Sequence, residues 1–291
     1  MASAETWTVK RTLDWCVSYL EAHGDEHPRR SAEWLMGAAT GLSRVEIYAY
    51  FDRPLSTEER DALRESLKRR GAGEPLQYVT GEAAFRHIVL RCAKGVLIPR
   101  PETEVLVQVV LDWLEAQGAD GAADWRGLEV GCGTGCVALS LAKEAGLQMV
   151  ATDISPEAVA CAVRNSEALG LSEHVEIVET DCAKGAEGPF DVLVSNPPYI
   201  PTAVMEGLSE EVIGYEPHLA LDGGADGLDF FRRLLSEVAP LLRAGGLFAC
   251  ELHETCLDDA AQLMTQAGFE HVTITNDLAG KPRIISGVAC D

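Results

Sequence analysis

A glycine-rich segment between an apolar strand and a helix constrains the fold of this chain more than any other feature. Residues 128–130 have the character of a buried strand, residues 131–135 follow with the spacing GxGxG, and residues 136–139 resume a helical pattern. Glycines let the backbone approach a ligand closely, and the amino terminus of a helix supplies unpaired N–H groups. The segment predicts a strand–loop–helix unit that binds a cofactor.

Short apolar strands alternate with helical segments along the rest of the chain. Pro101 suits a first helical position, and residues 105–116 have helical periodicity. We expect strands at residues 127–130, 148–152, 175–179, 192–195, 247–252, 272–276 and 283–289. Such alternation predicts an α/β fold, with a mainly parallel sheet and helices on both of its faces.

The amino-terminal part of the chain has a different pattern. Apolar residues such as Leu13, Val17 and Leu20 recur at helical spacing up to about residue 70. Short β-prone pieces at residues 77–79 and 85–90 then suggest a hairpin. We therefore predict three parts, which are a helical module over residues 1–73, a β-hairpin linker over 74–100 and a cofactor-binding domain over 101–291.

Composition excludes several classes of protein. The formal net charge of −22 disfavours direct contact with a nucleic-acid backbone and favours a basic protein partner. No apolar run approaches the roughly 20 residues that a membrane helix needs. The first ten residues lack the pattern of a secretory signal, so we expect a cytoplasmic protein that makes no membrane contact. Nine scattered cysteines without a CxxC pair predict reduced thiols and no metal site.

Acidic residues after successive strands indicate the cofactor. Asp153 ends the strand after the glycine loop, where a carboxylate accepts both hydroxyls of a ribose, as in NAD enzymes also. After the next strand, Asp181 suits the amino group of adenine and Cys182 suits the face of its ring. This third element favours S-adenosylmethionine. The predicted cofactor-binding residues are Gly131, Cys132, Gly133, Thr134, Gly135, Asp153, Asp181, Cys182 and Asn196.

The tetrad Asn196, Pro197, Pro198 and Tyr199 is the predicted chemical site, and it follows an apolar strand. Two prolines remove backbone donors and leave carbonyl acceptors. Together with the Asn196 side-chain oxygen these match the two hydrogens of one NH₂ group. Tyr199 is expected to stack on a planar amide or base while the nitrogen displaces a methyl group directly from the cofactor. Amides and nucleic-acid bases both satisfy this geometry.

Three further segments carry a family resemblance, at residues 73–81 (GEPLQYVTG), 97–104 (LIPRPETE) and 215–221 (YEPHLAL). With the tetrad they make the chain resemble the release-factor glutamine methyltransferases, the HemK/PrmC family. The resemblance implies a class I S-adenosylmethionine-dependent methyltransferase, Rossmann-like and seven-stranded, whose amino-terminal helical module recognises the substrate. It also implies methylation of the GGQ glutamine of peptide-chain release factors, with S-adenosylhomocysteine as product. By resemblance, Asn196 to Tyr199 bind that glutamine, and Phe85, Arg100 and Glu102 border it.

Three alternatives stay open from the residues. The same tetrad serves enzymes that methylate the exocyclic amine of adenine in DNA or RNA. A glutamine in a ribosomal protein presents the same side chain as one in a release factor. A cofactor-binding module without catalysis requires a damaged site, and the sequence shows no such damage.

Overall fold

The computed structural model describes residues 6–118 and 124–290 of the chain, and the first five residues of the segment assessed for a signal lie outside that range. The chain forms two compact units. Residues 1–82 and 210–215 make the first unit, and residues 83–209 and 216–291 make the second.

Twelve α-helices and nine β-strands lie within the described residues. The helices are α1 (Val9–Ala22), α2 (Pro28–Thr40), α3 (Arg44–Ala49), α4 (Thr57–Gly71), α5 (Leu76–Thr80), α6 (Thr103–Ala116), α7 (Cys136–Ala145), α8 (Pro156–Leu169), α9 (Thr202–Met205), α10 (Glu210–Tyr215), α11 (Asp229–Arg233) and α12 (Leu257–Gln266). The strands are β1 (Glu82–Phe85), β2 (Ile88–Arg91), β3 (Arg126–Val130), β4 (Gln148–Asp153), β5 (Val175–Glu179), β6 (Phe190–Ser195), β7 (Leu242–Glu251), β8 (Phe269–Asn276) and β9 (Pro282–Ala289).

The first unit consists of helices with well-defined starts. The hydroxyls of Ser43 and Ser56 each accept a hydrogen bond from the backbone N–H of the third residue of their helix, and the glutamate side chain there accepts one from the serine N–H, which makes two capping boxes. Pro28 occupies the first turn of α2, where a missing N–H costs nothing. Leu13, Leu35 and other apolar side chains of α1, α2 and α4 form its buried core. The six residues of α10 also belong to this unit.

One local expectation is wrong. Residues 77–79 were expected to form a strand, but they lie in the short helix α5. Pro75 precedes this helix, and Gly81 ends it in the left-handed conformation at φ 80°. Tyr78 and Val79 are buried there, so packing of one helical face decides the structure of a β-prone sequence. The hairpin itself is present as β1 and β2, further along the chain.

The second unit is built on a seven-stranded sheet in the order β5-β4-β3-β6-β7-β9-β8. Strands β5, β4, β3, β6 and β7 run parallel to one another, and β9 is antiparallel to both β7 and β8. Side chains alternate between two cores, because Val192 and Val194 join one cluster and Leu193 joins the other. The predicted mainly parallel α/β fold is confirmed.

Register places the ends of three strands side by side. Val130, the last residue of β3, lies opposite Thr152 of β4 and Ser195 of β6. The residues that come next in each chain segment, Gly131, Asp153 and Asn196, therefore meet at one edge of the sheet. Ligands bind at this edge in open α/β folds.

Residues 6–118 and 124–290 contain no helix with the length and apolar character of a membrane span. The same residues bring no three His, Cys, Asp or Glu side chains together in a group that could hold a metal ion. The cysteines are free thiols, all buried except Cys290.

Candidate active site

A cavity of about 720 Å³ opens at the carboxyl ends of β3, β4 and β6 in the second unit. It brings together most of the residues predicted from sequence. Those that line it are Arg100, Gly131, Cys132, Gly133, Thr134, Asp153, Asp181, Cys182, Asn196 and Pro198. Those that do not are Phe85, Glu102, Gly135, Pro197 and Tyr199.

The glycine loop leaves space at the floor of the cavity. Gly131, Gly133 and Gly135 have φ angles of 75°, 55° and 79°, which favour glycine. A side chain at Gly131 would meet no atom within 4 Å, so the open space there is available to a ligand. Gly135 serves packing instead, since a Cβ there would lie 3.1 Å from Leu139 Cδ1. The loop thus both shapes the cavity and seats helix α7.

Asp153 is fixed by two backbone groups. Its Oδ2 accepts from Gly133 N at 2.8 Å, and its Oδ1 accepts from Ser155 N at 2.9 Å. Each carboxylate oxygen can accept a second hydrogen bond. The side chain is therefore held rigidly with acceptors left for two hydroxyl groups.

Asp181 has a partner that the sequence did not suggest. Arg233 contacts both carboxylate oxygens of Asp181, at 3.1 and 3.2 Å, and also binds Glu237. Arg233 and Phe230 line the cavity beside Asp181. Cys182 is buried, adopts a left-handed φ of 58°, and accepts a hydrogen bond on its carbonyl from Thr152 Oγ1. This wall therefore combines an ion pair with apolar surface.

Glu129 is a buried acid at the cavity that the predicted set omits. Its Oε2 accepts from Ala138 N at 2.8 Å, and burial raises its pKa to about 8. The nearby Asp153 raises that pKa further, while the hydrogen bond opposes the shift. An acid inside the apolar run of β3 was the available signal. A buried carboxyl of this kind suits a cationic ligand group.

Asn196 presents a defined face to the cavity. Its Nδ2 donates to Thr103 Oγ1 at 3.0 Å, so its Oδ1 is the side-chain atom left to accept a hydrogen bond. The preceding Ser195 is fully buried and donates to Val130 O at 2.7 Å, which ties the ends of β6 and β3 together. The acceptor therefore stands on a rigid strand end.

Tyr199, the last residue of the tetrad, is held by a buried carboxyl. Its hydroxyl donates to Glu251 Oε1 at 2.9 Å, and burial together with that carboxyl holds the pKa of Tyr199 well above its usual range. Two glycines crowd its backbone. A Cβ at Gly223 would lie 2.6 Å from Tyr199 Cα, and one at Gly227 would lie 2.5 Å from Tyr199 O. These close contacts fix the path of the chain after the prolines.

Of the three residues expected beside the substrate, Arg100 lines the cavity, and Phe85 and Glu102 do not. Phe85 is 1% exposed, packs in the hydrophobic core and does not line the cavity. Glu102 precedes helix α6 and does not line the cavity. Arg100 does line it, and its Nη2 binds Glu216 Oε1 at 2.5 Å. Glu216 also accepts from Ile98 N, so it joins two segments that border the cavity.

Comparison with curated proteins identifies the family. A release factor glutamine methyltransferase from Geobacter sulfurreducens is 40% identical over 97% of this chain and 97% of its own length. One from Chlorobaculum tepidum is 38% identical over 99% of this chain and 100% of its own. The chain belongs to the release factor glutamine methyltransferase family. Residues 11–81 match the PrmC N-terminal domain family and residues 104–216 match the methyltransferase small domain family.

A solved structure is similar in fold. The catalytic domain of human METTL16, in complex with a hairpin of the MAT2A 3′UTR, superimposes with a TM-score of 0.55 and 19% identity. The match covers 69% of this chain and 76% of that one. This likeness shows a shared methyltransferase fold and carries no statement about substrate.

Proposed function

We propose that this chain transfers a methyl group from S-adenosylmethionine to the side-chain amide nitrogen of the GGQ glutamine in peptide-chain release factors. The observation that carries the proposal is the oriented acceptor Asn196 Oδ1 beside the glycine loop, in a member of this family. We also propose that residues 1–73 form the module that recognises the release factor.

The residues present fit the cofactor. The open space at Gly131 admits a ligand close to the backbone, Asp153 offers acceptors for ribose hydroxyls, and Glu129 offers a buried carboxyl to an ammonium group. Asp181 keeps lone pairs for an adenine amino group although it binds Arg233. When bound, S-adenosylmethionine supplies an electrophilic methyl group on a sulfonium centre and leaves as S-adenosylhomocysteine.

Positioning accounts for the chemistry that the protein contributes. An amide nitrogen is a weak nucleophile because its lone pair is delocalised into the carbonyl. Asn196 Oδ1 and a carbonyl of the proline pair can each accept one hydrogen of the substrate NH₂, which orients the nitrogen and increases its electron density. Preorganised acceptors of this kind act without a strong base.

Two other substrates would fit the same acceptor geometry. The amino group of adenine in DNA or RNA presents the same two hydrogens, and the net charge of −22 is the feature that disfavours it. A ribosomal-protein glutamine would satisfy the tetrad equally. The identity of the relatives favours a release factor over both.

The deciding experiment uses radiolabelled cofactor with three kinds of acceptor. A release factor, the same factor with GGQ changed to GGA, and a mixture of ribosomal proteins with DNA and RNA are each incubated with the full chain. We expect label in the intact release factor alone. Equal labelling of the GGA version, or label only in nucleic acid or ribosomal protein, would reject the proposal.

A further inference from the structure

The orientation of the Asn196 amide is underdetermined by its direct partner. Asn196 Nδ2 donates to Thr103 Oγ1 at 3.0 Å, and Thr103 is only 1% exposed. A primary amide turned by 180° exchanges its NH₂ and its oxygen. A hydroxyl both donates and accepts, so Thr103 alone satisfies either orientation. The orientation therefore depends on which group receives the Thr103 hydrogen.

Glu251 is the acceptor next to Thr103. It lies at the end of β7, is fully buried, and its Oε1 accepts from the Tyr199 hydroxyl at 2.9 Å. The other oxygen, Oε2, is buried and has no hydrogen-bond partner within residues 6–118 and 124–290, and Thr103 lies close enough for its hydroxyl to lower the pKa of this carboxyl. Burial raises the pKa of Glu251, and the hydroxyls of Thr103 and Tyr199 oppose that rise.

We propose that Thr103 and Glu251 are positioning residues that set which end of the Asn196 amide meets the substrate. Glu251 takes the Thr103 hydrogen, Thr103 Oγ1 is left as an acceptor, and Asn196 turns its NH₂ toward it. Asn196 Oδ1 then faces the cavity. The inference rests on the proposed function, because an acceptor is required there only opposite a substrate NH₂.

Glu251 thereby anchors both ends of the tetrad. It holds Asn196 through Thr103 and holds Tyr199 directly. A buried carboxyl costs free energy that an apolar side chain would avoid. A polar group retained in a core against that cost is typical of a functional site.

The test is a double-mutant cycle with Thr103→Val, which keeps the shape of threonine and removes its hydroxyl. We expect Thr103→Val to lower kcat/KM for the release factor by about tenfold or more, with cofactor affinity unchanged in titration calorimetry. Thr103→Ser keeps the hydroxyl and should stay within about threefold of the parent. In an Asn196→Ala background, Thr103→Val should change kcat/KM by less than about twofold, because the residue it orients is gone.

Glu251→Gln provides a second cycle that does not depend on the folding of Thr103→Val. The new NH₂ group donates where the carboxyl accepted. The hydrogen bonds that run from residue 251 through Thr103 to Asn196 therefore reverse direction, and the Asn196 amide rotates by 180°. We expect a loss of about tenfold or more that again disappears in the Asn196→Ala background. Thr265→Val is the matched control, since the exposed Thr265 hydroxyl donates to Ala261 O within α12; it should keep parental kinetics.

Three results would overturn the inference. These are parental kcat/KM in Thr103→Val and Glu251→Gln, failure of Thr103→Ser to restore activity, and full additivity with Asn196→Ala. The ratios are measured on whichever NH₂ substrate the parent methylates. If the parent enzyme methylated nucleic acid instead of a release factor, the proposed function would be rejected. The kcat/KM ratios of the variants would still decide whether Glu251 and Thr103 orient Asn196.

Discussion

The Asn196 side chain is the residue on which the proposed chemistry depends most directly. Changing it to alanine removes an acceptor without touching the glycine loop or Asp153. We expect Asn196→Ala to lower turnover by about a hundredfold or more, the cost of losing one positioned polar group. Cofactor affinity should stay within about twofold by titration calorimetry.

Asn276→Ala, at the exposed end of β8, is the control for this substitution and should behave as the parent. Near-normal turnover in Asn196→Ala would contradict the assigned role. A loss of cofactor binding would show instead that the asparagine serves the cofactor more than the substrate.

Glu129 gives the fold a pH dependence with a defined sign. The pKa of Glu129 is about 8 in the folded protein and near 4.5 in the unfolded chain. As pH rises, this carboxyl therefore loses its proton in the unfolded chain at a lower pH than in the folded protein. The stability contributed by the neutral carboxyl is complete below pH 4.5 and is lost as pH rises toward 8. The slope is at most about 1.4 kcal/mol per pH unit.

Glu129→Gln should flatten this profile. Urea denaturation of the cofactor-free protein at intervals from pH 5 to 8.5 measures it for parent and variant. We expect the parent to lose stability relative to the variant across that interval. Parallel profiles would show that Glu129 is ionised in the folded protein.

At the scale of elements, the turn after β6 depends on close backbone contact. A Cβ at Gly223 would lie 2.6 Å from Tyr199 Cα and 2.7 Å from Tyr199 C, and backbone atoms cannot yield as a flexible side chain does. We expect Gly223→Ala to lower the free energy of unfolding by about 2 kcal/mol and to reduce turnover together with it. Thermal denaturation and the methylation assay measure the two effects.

Gly214→Ala provides the comparison. A Cβ at Gly214 meets no atom within 4 Å, and the residue lies in helix α10. Alanine there should be neutral or stabilising by about 0.5–1 kcal/mol. If Gly223→Ala were as well tolerated, the path of the tetrad would not depend on that contact.

Local sequence predicts the strands and the glycine-rich turn between β3 and α7 well, because apolar runs and glycine spacing act over a few residues. It fails at α5, where burial of Tyr78 and Val79 overrides β propensity. Thr103 and Glu251 lie far apart in sequence and come close only when helix α6 packs against β7, so no local sequence pattern predicts their proximity. Phe85 was placed beside the substrate by family resemblance, and in the structure its side chain packs in the hydrophobic core.

At the scale of the whole molecule, charge is the dominant property. A net charge of −22 attracts a basic protein and repels phosphate, and both effects weaken as salt screens them. We expect KM for a basic release factor to rise several-fold between about 50 and 300 mM NaCl while kcat changes little. Steady-state methylation at each salt concentration measures this.

Cofactor affinity at the same salt concentrations is the control, because salt screens the short-range contacts of a small ligand less than the long-range attraction between two protein surfaces. A KM that does not respond to salt would show that the acidity of the chain plays no part in recognising its partner.

The first unit is discontinuous, and this has a consequence for how the chain is made. Helix α10 belongs to that unit, where Glu211 binds Arg70 at 2.9 Å and the Tyr215 hydroxyl donates to Ala72 O. During translation, residues 1–82 emerge from the ribosome well before residue 215 is synthesised. The amino-terminal helices are therefore exposed at first without the partners that α10 provides. The helical module therefore reaches its final form late in translation, after the strands that carry the glycine loop and the tetrad have been synthesised.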